Sequence, residues 1–306
     1  MSHHWGFVGV LLSAILFGVS TTLNKIALTN TNPILIAGLS YFSAGLLLLI
    51  IHYSPFHPKL LSLFETTTPT EHEIAKKDYK ILGLIILFGS VIAPLMLLQG
   101  LKTTTAVNTS LLLSTESFFT ALIAFTFLRE RGTKKEYTGI LLLIIGVIFL
   151  TTNANFREIN LTQSITGNIL VLGACVFWGL DNNLSKLLSK KTEIIYITGL
   201  KCLIGGTILL SMPLFLNIKY EVPLVSLPHI LSVGALSIAL SILLFLFALR
   251  EIGSMRTGAI FSVSSLFGAI FAFFALGESF SIVQLLSGVI MLFGVYVLCI
   301  KPSHKT

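Results

Sequence analysis

The chain has 306 residues, of which 54% are hydrophobic and 11% charged, with a mean hydropathy of +0.92. A soluble globular chain carries about 25% charged residues, so this composition belongs to a membrane protein. It leaves no mass for a large soluble enzyme, a nucleic-acid-binding domain or a disulfide-stapled secreted module, and the net charge of +7 has to be read through topology.

A bilayer core of about 30 Å takes about 20 apolar residues per helical crossing. On that measure the spans fall at 6–28, 33–52, 80–101, 106–128, 137–152, 167–188, 194–216, 228–249, 257–276 and 282–300. Each run is continuous rather than alternating, which excludes a β-barrel, because a helix satisfies every backbone group within one segment. The predicted fold class is therefore all-α integral membrane, with ten transmembrane helices. The first block has no basic n-region and no small-x-small cleavage site, so a retained helix and no signal peptide are expected. His3 and His4 read as solvated filler at an exposed terminus. The polar segment 53–79 is expected to be a solvated cytoplasmic connector.

With the N-terminus in the cytoplasm, fifteen Lys and Arg fall inside and four outside (Lys25, Lys102, Arg157 and Lys219), with Lys201 within a span. That bias obeys the positive-inside rule. Both termini are expected to be cytoplasmic, in the plasma membrane, and the basic balance leaves nothing for a nucleic acid to explain. Cys175, Cys202 and Cys299 lie inside apolar runs without CxxC or Cys/His spacing, so no disulfide, metal site or cofactor is expected.

The chain repeats itself. A shift of 161 superposes Gly18, Lys25, Gly38 and Gly45 on Gly179, Lys186, Gly199 and Gly206. A shift of 148 superposes Ser114, Ser117, Phe119, Glu130 and Gly146 on Ser262, Ser265, Phe267, Glu278 and Gly294. The repeats are 1–152 and 167–306, joined by an extracytoplasmic linker at 153–166, and the change of offset is absorbed by 53–79. Five spans per repeat is an odd number, so the second copy enters the bilayer from the opposite side. Such an inverted repeat is the architecture of secondary transporters.

Several stretches carry a family resemblance. Phe17-Gly18 with Lys25 and Trp178-Gly179 with Lys186 give an aromatic-Gly pair followed by a lysine in the first helix of each repeat. Ala121 to Glu130 and Ala269 to Glu278 are apolar helices each ending in Glu, followed by glycine-spaced helices at Gly146-Val147 and Gly294-Val295. In this order and duplication the chain resembles the drug/metabolite transporter superfamily in its EamA type, over essentially its whole length apart from 53–79. The resemblance implies a carrier of small metabolites such as amino acids or drugs. A nucleotide-sugar carrier is the runner-up, weakened because the spans lack a cluster of buried basic residues for the phosphates, and the rival class is a structural or enzymatic intramembrane protein. An intramembrane enzyme would need an HExxH, a Gly-x-Ser-x-Gly, paired acids or a membrane-embedded His, and none is present.

Three charges fall deep inside spans: Glu116, Asp181 and Lys201. Each costs about 2.5–3.5 kcal/mol at a helix centre and should face a wet cavity or an opposite charge. Under the repeat offsets they match Ser264, Ser20 and Ser40, so each charge belongs to one half only. Glu116 is near the midplane, at helical spacing with Thr105, Thr109 and Thr120, a polar stripe that Ser264 and Thr257 mirror. It suits either proton exchange and cation binding or, alternatively, a hydrogen bond that glues two helices. Asp181 and Lys201 lie at similar depth on adjacent spans and are expected to pair, as a structural link or as a gate. Asn182, Trp178, Asn24 and Phe17 are the further candidates for a cavity lining, the aromatics reading equally as packing. Pro94 and Pro213 mark positions where helices could bend between states. The partners expected are a small-molecule substrate and the lipid bilayer; proton-coupled export and facilitative uniport both fit.

Overall fold

The computed structural model describes residues 2–55, 78–128, 134–152, 163–188, 193–252, 257, 260–279 and 281–299, all of them helical or in short turns. Most of the connector expected at 53–79, residues 153–162 of the linker expected at 153–166, and the motif residue Glu130 lie outside the described residues, as does the side chain of Lys186.

Helix α1 (Ser2–Ala27) and α2 (Pro33–Tyr53) are the first two apolar blocks. The start of α2 is written into its sequence: the Asn32 side chain accepts the Ile34 N–H at 2.9 Å, and Pro33 occupies the first turn, where a missing N–H costs nothing. The third block is one rod in three parts, α3 (Tyr79–Ile85), a π-helical stretch Ile86–Ile92, and α4 (Ala93–Thr103). Pro94 has no N–H and would clash with a carbonyl one turn earlier in a straight α-helix; the ladder widens just ahead of it. The eighth block repeats this pattern as α10 (Leu227–Ser232), a π-helical stretch Val233–Leu240, and α11 (Ser241–Ile252). Residues 86–92 map onto 234–240 under the 148-residue offset, so both halves carry the wide turn at the same place.

The fourth block departs from expectation. Instead of one helix over 106–128, it forms α5 (Ala106–Leu113) and α6 (Thr115–Leu128), separated at Ser114. The Ser114 and Thr115 hydroxyls donate to the carbonyls of Leu111 at 2.8 Å and Leu112 at 2.7 Å, local bonds that compete with the helical ladder. The ninth block is interrupted at the equivalent place: a tight turn at Ser262 and Val263 precedes α12 (Ser264–Leu276). The remaining helices are α7 (Lys134–Thr152), α8 (Gln163–Leu188), α9 (Ile194–Leu216) and α13 (Ile282–Cys299). Helix α9 ends where Asn217 takes a left-handed conformation at φ 53°, a common helix stop.

Among the described residues, six helices are long and apolar enough to cross a membrane, namely His4–Ala27, Pro33–Tyr53, Tyr79–Thr103, Ile165–Ser185, Ile195–Leu216 and Leu227–Phe245. Tyr137–Leu150, Ser264–Leu276 and Ile282–Val297 are shorter apolar helices. This is a multi-pass, all-helical membrane protein. Large apolar side chains such as Phe215, Phe274 and Leu286 stand on its outer surface, where lipid rather than water meets them.

Helix contacts come in matched sets. Helix α2 lies along α9 and α7 along α13, while α1 packs on α12 as α6 packs on α8. The matching reaches individual residues. Gly45 abuts the main chain of Leu203, and Gly206 abuts the main chain of Phe42, so that a Cβ at either glycine would overlap backbone atoms. Both pairs are exchanged by the 161-residue offset. Gly146 against Met291 answers Gly294 against Leu143, and Gly18 against Phe267 answers Gly179 against Phe119.

Candidate transport site

A cavity opens between α1, α2, α4, α8 and the second π-helical stretch. Its aromatic walls are Phe17, Tyr41 and Trp178, and its polar groups include Ser20, Asn24 and Ser40. Phe17 and Trp178 occupy equivalent positions in the two repeats and meet here. A smaller cavity adjoins it, sharing Phe17 and Leu113 and bounded by Thr21, Ser110 and Ser264. The Thr21 and Ser110 hydroxyls bond each other at 2.6 Å across its wall.

Asn24 is buried, and its Oδ1 has no hydrogen-bond partner. Trp178 is held firmly: its indole N–H donates to the Gly89 carbonyl at 3.0 Å, in the first π-helical stretch. Asp181 lies one turn further along α8, with its carboxylate against Gly89 so closely that a Cβ there would overlap it. Lys201 of α9 donates to Asp181 Oδ2 at 2.7 Å, and Ser185 donates to the other oxygen at 2.9 Å. The side chains of the ion pair are 5% and 15% exposed. The expected pairing of Asp181 with Lys201 is thus present, buttressed by the wide turn of the third block.

Asn182, next to Asp181 in sequence, points about 100° around the helix and toward α6 instead. Its amide donates to Glu116 Oε1 at 2.9 Å and to Thr120 Oγ1 at 3.2 Å, one turn apart on α6. Asn183 adds bonds to the carbonyls of Thr120 at 2.9 Å and Gly179 at 2.8 Å. The helix break changes the anticipated stripe. Thr105 caps α5, accepting the Asn108 N–H at 3.0 Å, and Thr109 bonds back to the Thr105 carbonyl at 2.9 Å, so only Glu116 and Thr120 act together.

The sequence-derived candidates therefore divide into three places. Phe17, Asn24 and Trp178 line the larger cavity, and Ser264 lines the smaller one. Asp181 and Lys201 sit behind the Trp178 wall, bonded to each other, while Glu116 and Asn182 join α6 to α8. Tyr41 and Ser237 also line the larger cavity and were not singled out by sequence. They match Cys202 and Gly89 in the other half, so an offset comparison that looked for polar residues opposite apolar ones would have found them.

At the extracytoplasmic end expected for α1, Lys25 donates to the carbonyls of Leu101 and Thr104, both at 2.6 Å. Glu278 accepts the N–H groups of Ala106 at 2.8 Å and Val107 at 2.9 Å. The motif lysine of the first repeat and the motif glutamate of the second thus meet at one turn.

A bundle of membrane helices with paired wide turns, paired breaks and a central aromatic cavity has the form of a membrane carrier. The chain belongs to the EamA-like transporter family, whose model matches residues 4–152 and again 165–300. It is 43% identical to a protein of Methanothermobacter thermautotrophicus described as an uncharacterized transporter, over 97% of this chain and 87% of the relative. A probable amino-acid metabolite efflux pump of Salmonella typhimurium is 30% identical over 61% of this chain and 54% of its own. A solved protein crystal structure superposes with a TM-score of 0.63 over 97% of this chain and 95% of the other at 14% identity, a likeness of fold. The family's proteins are transporters and not enzymes.

Proposed function

We propose that the chain is a secondary transporter of the plasma membrane, with ten spans in two inverted five-helix repeats and both termini cytoplasmic, which moves small metabolites by alternating access. The reciprocal glycine contacts carry this reading. When residue 45 meets 203 as 206 meets 42, two copies face each other across a pseudo-two-fold axis, and an odd number of spans per copy puts that axis in the membrane plane. Exchange of the two halves' shapes then moves the opening of a midplane cavity from one face to the other. The cargo class, amino acids or drugs, follows the sequence resemblance and, for amino-acid metabolites, the name of the Salmonella relative, with Phe17, Asn24 and Trp178 as cavity contacts and Ser264 at its margin. Glu116, bonded to Asn182 across the α6–α8 interface, is assigned as the proton-exchanging group, and Asp181 with Lys201 as the fixed link behind the cavity wall.

The topology is tested by labelling single cysteines at 130–136 and at 277–281 with a membrane-impermeant reagent in intact cells. Labelling on opposite faces is expected, and labelling of both on one face overturns the inverted repeat. Transport itself is tested by counterflow in proteoliposomes loaded with amino acids or amphipathic drugs, where saturable exchange of at least one solute is expected.

A further inference from the structure

We propose that the larger cavity binds an uncharged solute, one that presents an N–H or O–H donor to Asn24 from a flat apolar body. This rests on the transporter reading above and narrows its cargo. The polar groups of the cavity are uncharged hydroxyls, an indole N–H and the Asn24 amide. Asn24 Oδ1 is buried and unpartnered. The Ser40 and Ser237 hydroxyl protons are committed to the carbonyls of Ile230 at 3.2 Å and Leu16 at 2.6 Å, which leaves their oxygen lone pairs available. Trp178 has spent its single N–H on Gly89. A ligand acceptor is left with the Asn24 amide N–H groups and the Ser20 and Tyr41 hydroxyls, which together can receive a carbonyl oxygen.

Charge is equally decisive. None of the described residues lining either cavity is charged. The neighbouring Asp181 and Lys201 neutralise each other at 2.7 Å. An ion brought into this space would lose its hydration with no charged side chain in the lining to replace it, which is the costliest way to bury a polar group. The break before α12 offers an anion no bed either, because the N–H groups of Ser265, Leu266 and Phe267 already donate to Ser262 and Val263. Aromatic faces on Phe17, Tyr41 and Trp178 complete a slot suited to a ring. An unpaired buried acceptor is a strong selector, since a ligand lacking the donor leaves it unpaired.

The test holds the ring constant and varies the charge. Indole-3-acetamide is neutral, tryptamine cationic, indole-3-acetate anionic and tryptophan zwitterionic; each is titrated calorimetrically into the full-length protein in detergent. The acetamide is expected to bind at least about tenfold more tightly than each of the others, and Asn24→Leu to weaken it by about tenfold. Asn24→Asp is expected to shift the preference to tryptamine. Equal or tighter binding of any charged analogue, absence of acetamide binding, or an unchanged affinity in a folded Asn24→Leu overturns the proposal. Where Asn24→Leu does not fold, the wild-type series decides alone. Binding is read at equilibrium without vesicles, so a failure of transport with intact binding points to the transporter reading instead.

Discussion

Lys25 and Glu278 grip opposite sides of the same turn. The lysine holds carbonyls at the C-terminal end of α4, and the glutamate holds N–H groups at the N-terminal end of α5. Each charge faces the helix end whose dipole it complements. Replacing Lys25 with Ala leaves the Leu101 and Thr104 carbonyls without their charged donor and is expected to cost about 1.5–3 kcal/mol. Glu278→Ala is expected to cost a similar amount, and the double variant less than the sum, because both act on one turn. Thermal unfolding in detergent reads all three, and unchanged midpoints would show the turn to be self-supporting.

For Glu116 the conservative variant is the informative one. Glutamine keeps an oxygen to accept from Asn182, so Glu116→Gln should fold, but it removes the titrating group. Transport in proteoliposomes is expected to persist while losing its dependence on pH. If rate and pH profile both survive, Glu116 serves only to join α6 to α8.

Breaking the Asp181–Lys201 pair from one side should be severe. Lys201→Met strands a carboxylate that is 5% exposed, at an expected cost of about 3–5 kcal/mol. Adding Asp181→Asn should recover most of the lost expression, since the pair then leaves together. Transport by that double variant separates the two roles: activity near wild type marks a structural link, and a folded but inactive protein marks a gate. Gly89→Ala is expected to resemble the single variant, because the added methyl would displace the Asp181 carboxylate.

The reciprocal glycines predict paired penalties. Gly45→Val and Gly206→Val each drive a side chain into backbone on the facing helix, and each is expected to destabilise by at least about 1–3 kcal/mol, to a similar extent. Gly83, with nothing within 4 Å of where its Cβ would be, is the control; Gly83→Ala should be neutral or stabilising by up to about 1 kcal/mol. Unequal effects at 45 and 206 would argue against equivalent interfaces.

How far the sequence could be read depended on the physical signal at each point. Apolar runs showed where α1, α2, α8 and α9 lie, because hydropathy alone decides residence in lipid. The breaks at Ser114 and Ser262 were hidden because neither Pro nor Gly marks them; the signal was instead a cluster of Ser and Thr whose hydroxyls bond their own turn. The π-helical stretches have no compositional signature, and only Pro94 hints at one of them. Among the candidate residues, the Asp181–Lys201 contact followed from shared depth on adjacent spans. Asn182 was expected at the cavity but faces α6, because adjacent residues on a helix look in different directions and no hydropathy pattern specified the rotation of α8. Phe17 was legible through the repeat and Asn24 only as a further lining candidate, and their meeting with Tyr41 needed three dimensions.

The salt link of α8 and α9 has no twin, for at the matching positions the first half carries Ser20 and Ser40, which line the larger cavity. On the alternating-access reading proposed above, the two halves would trade unlike interiors. One orientation would then keep the internal electrostatic strut while the other rearranges it, so the unloaded protein is expected to be lopsided, favouring one vestibule even across a membrane with no gradient.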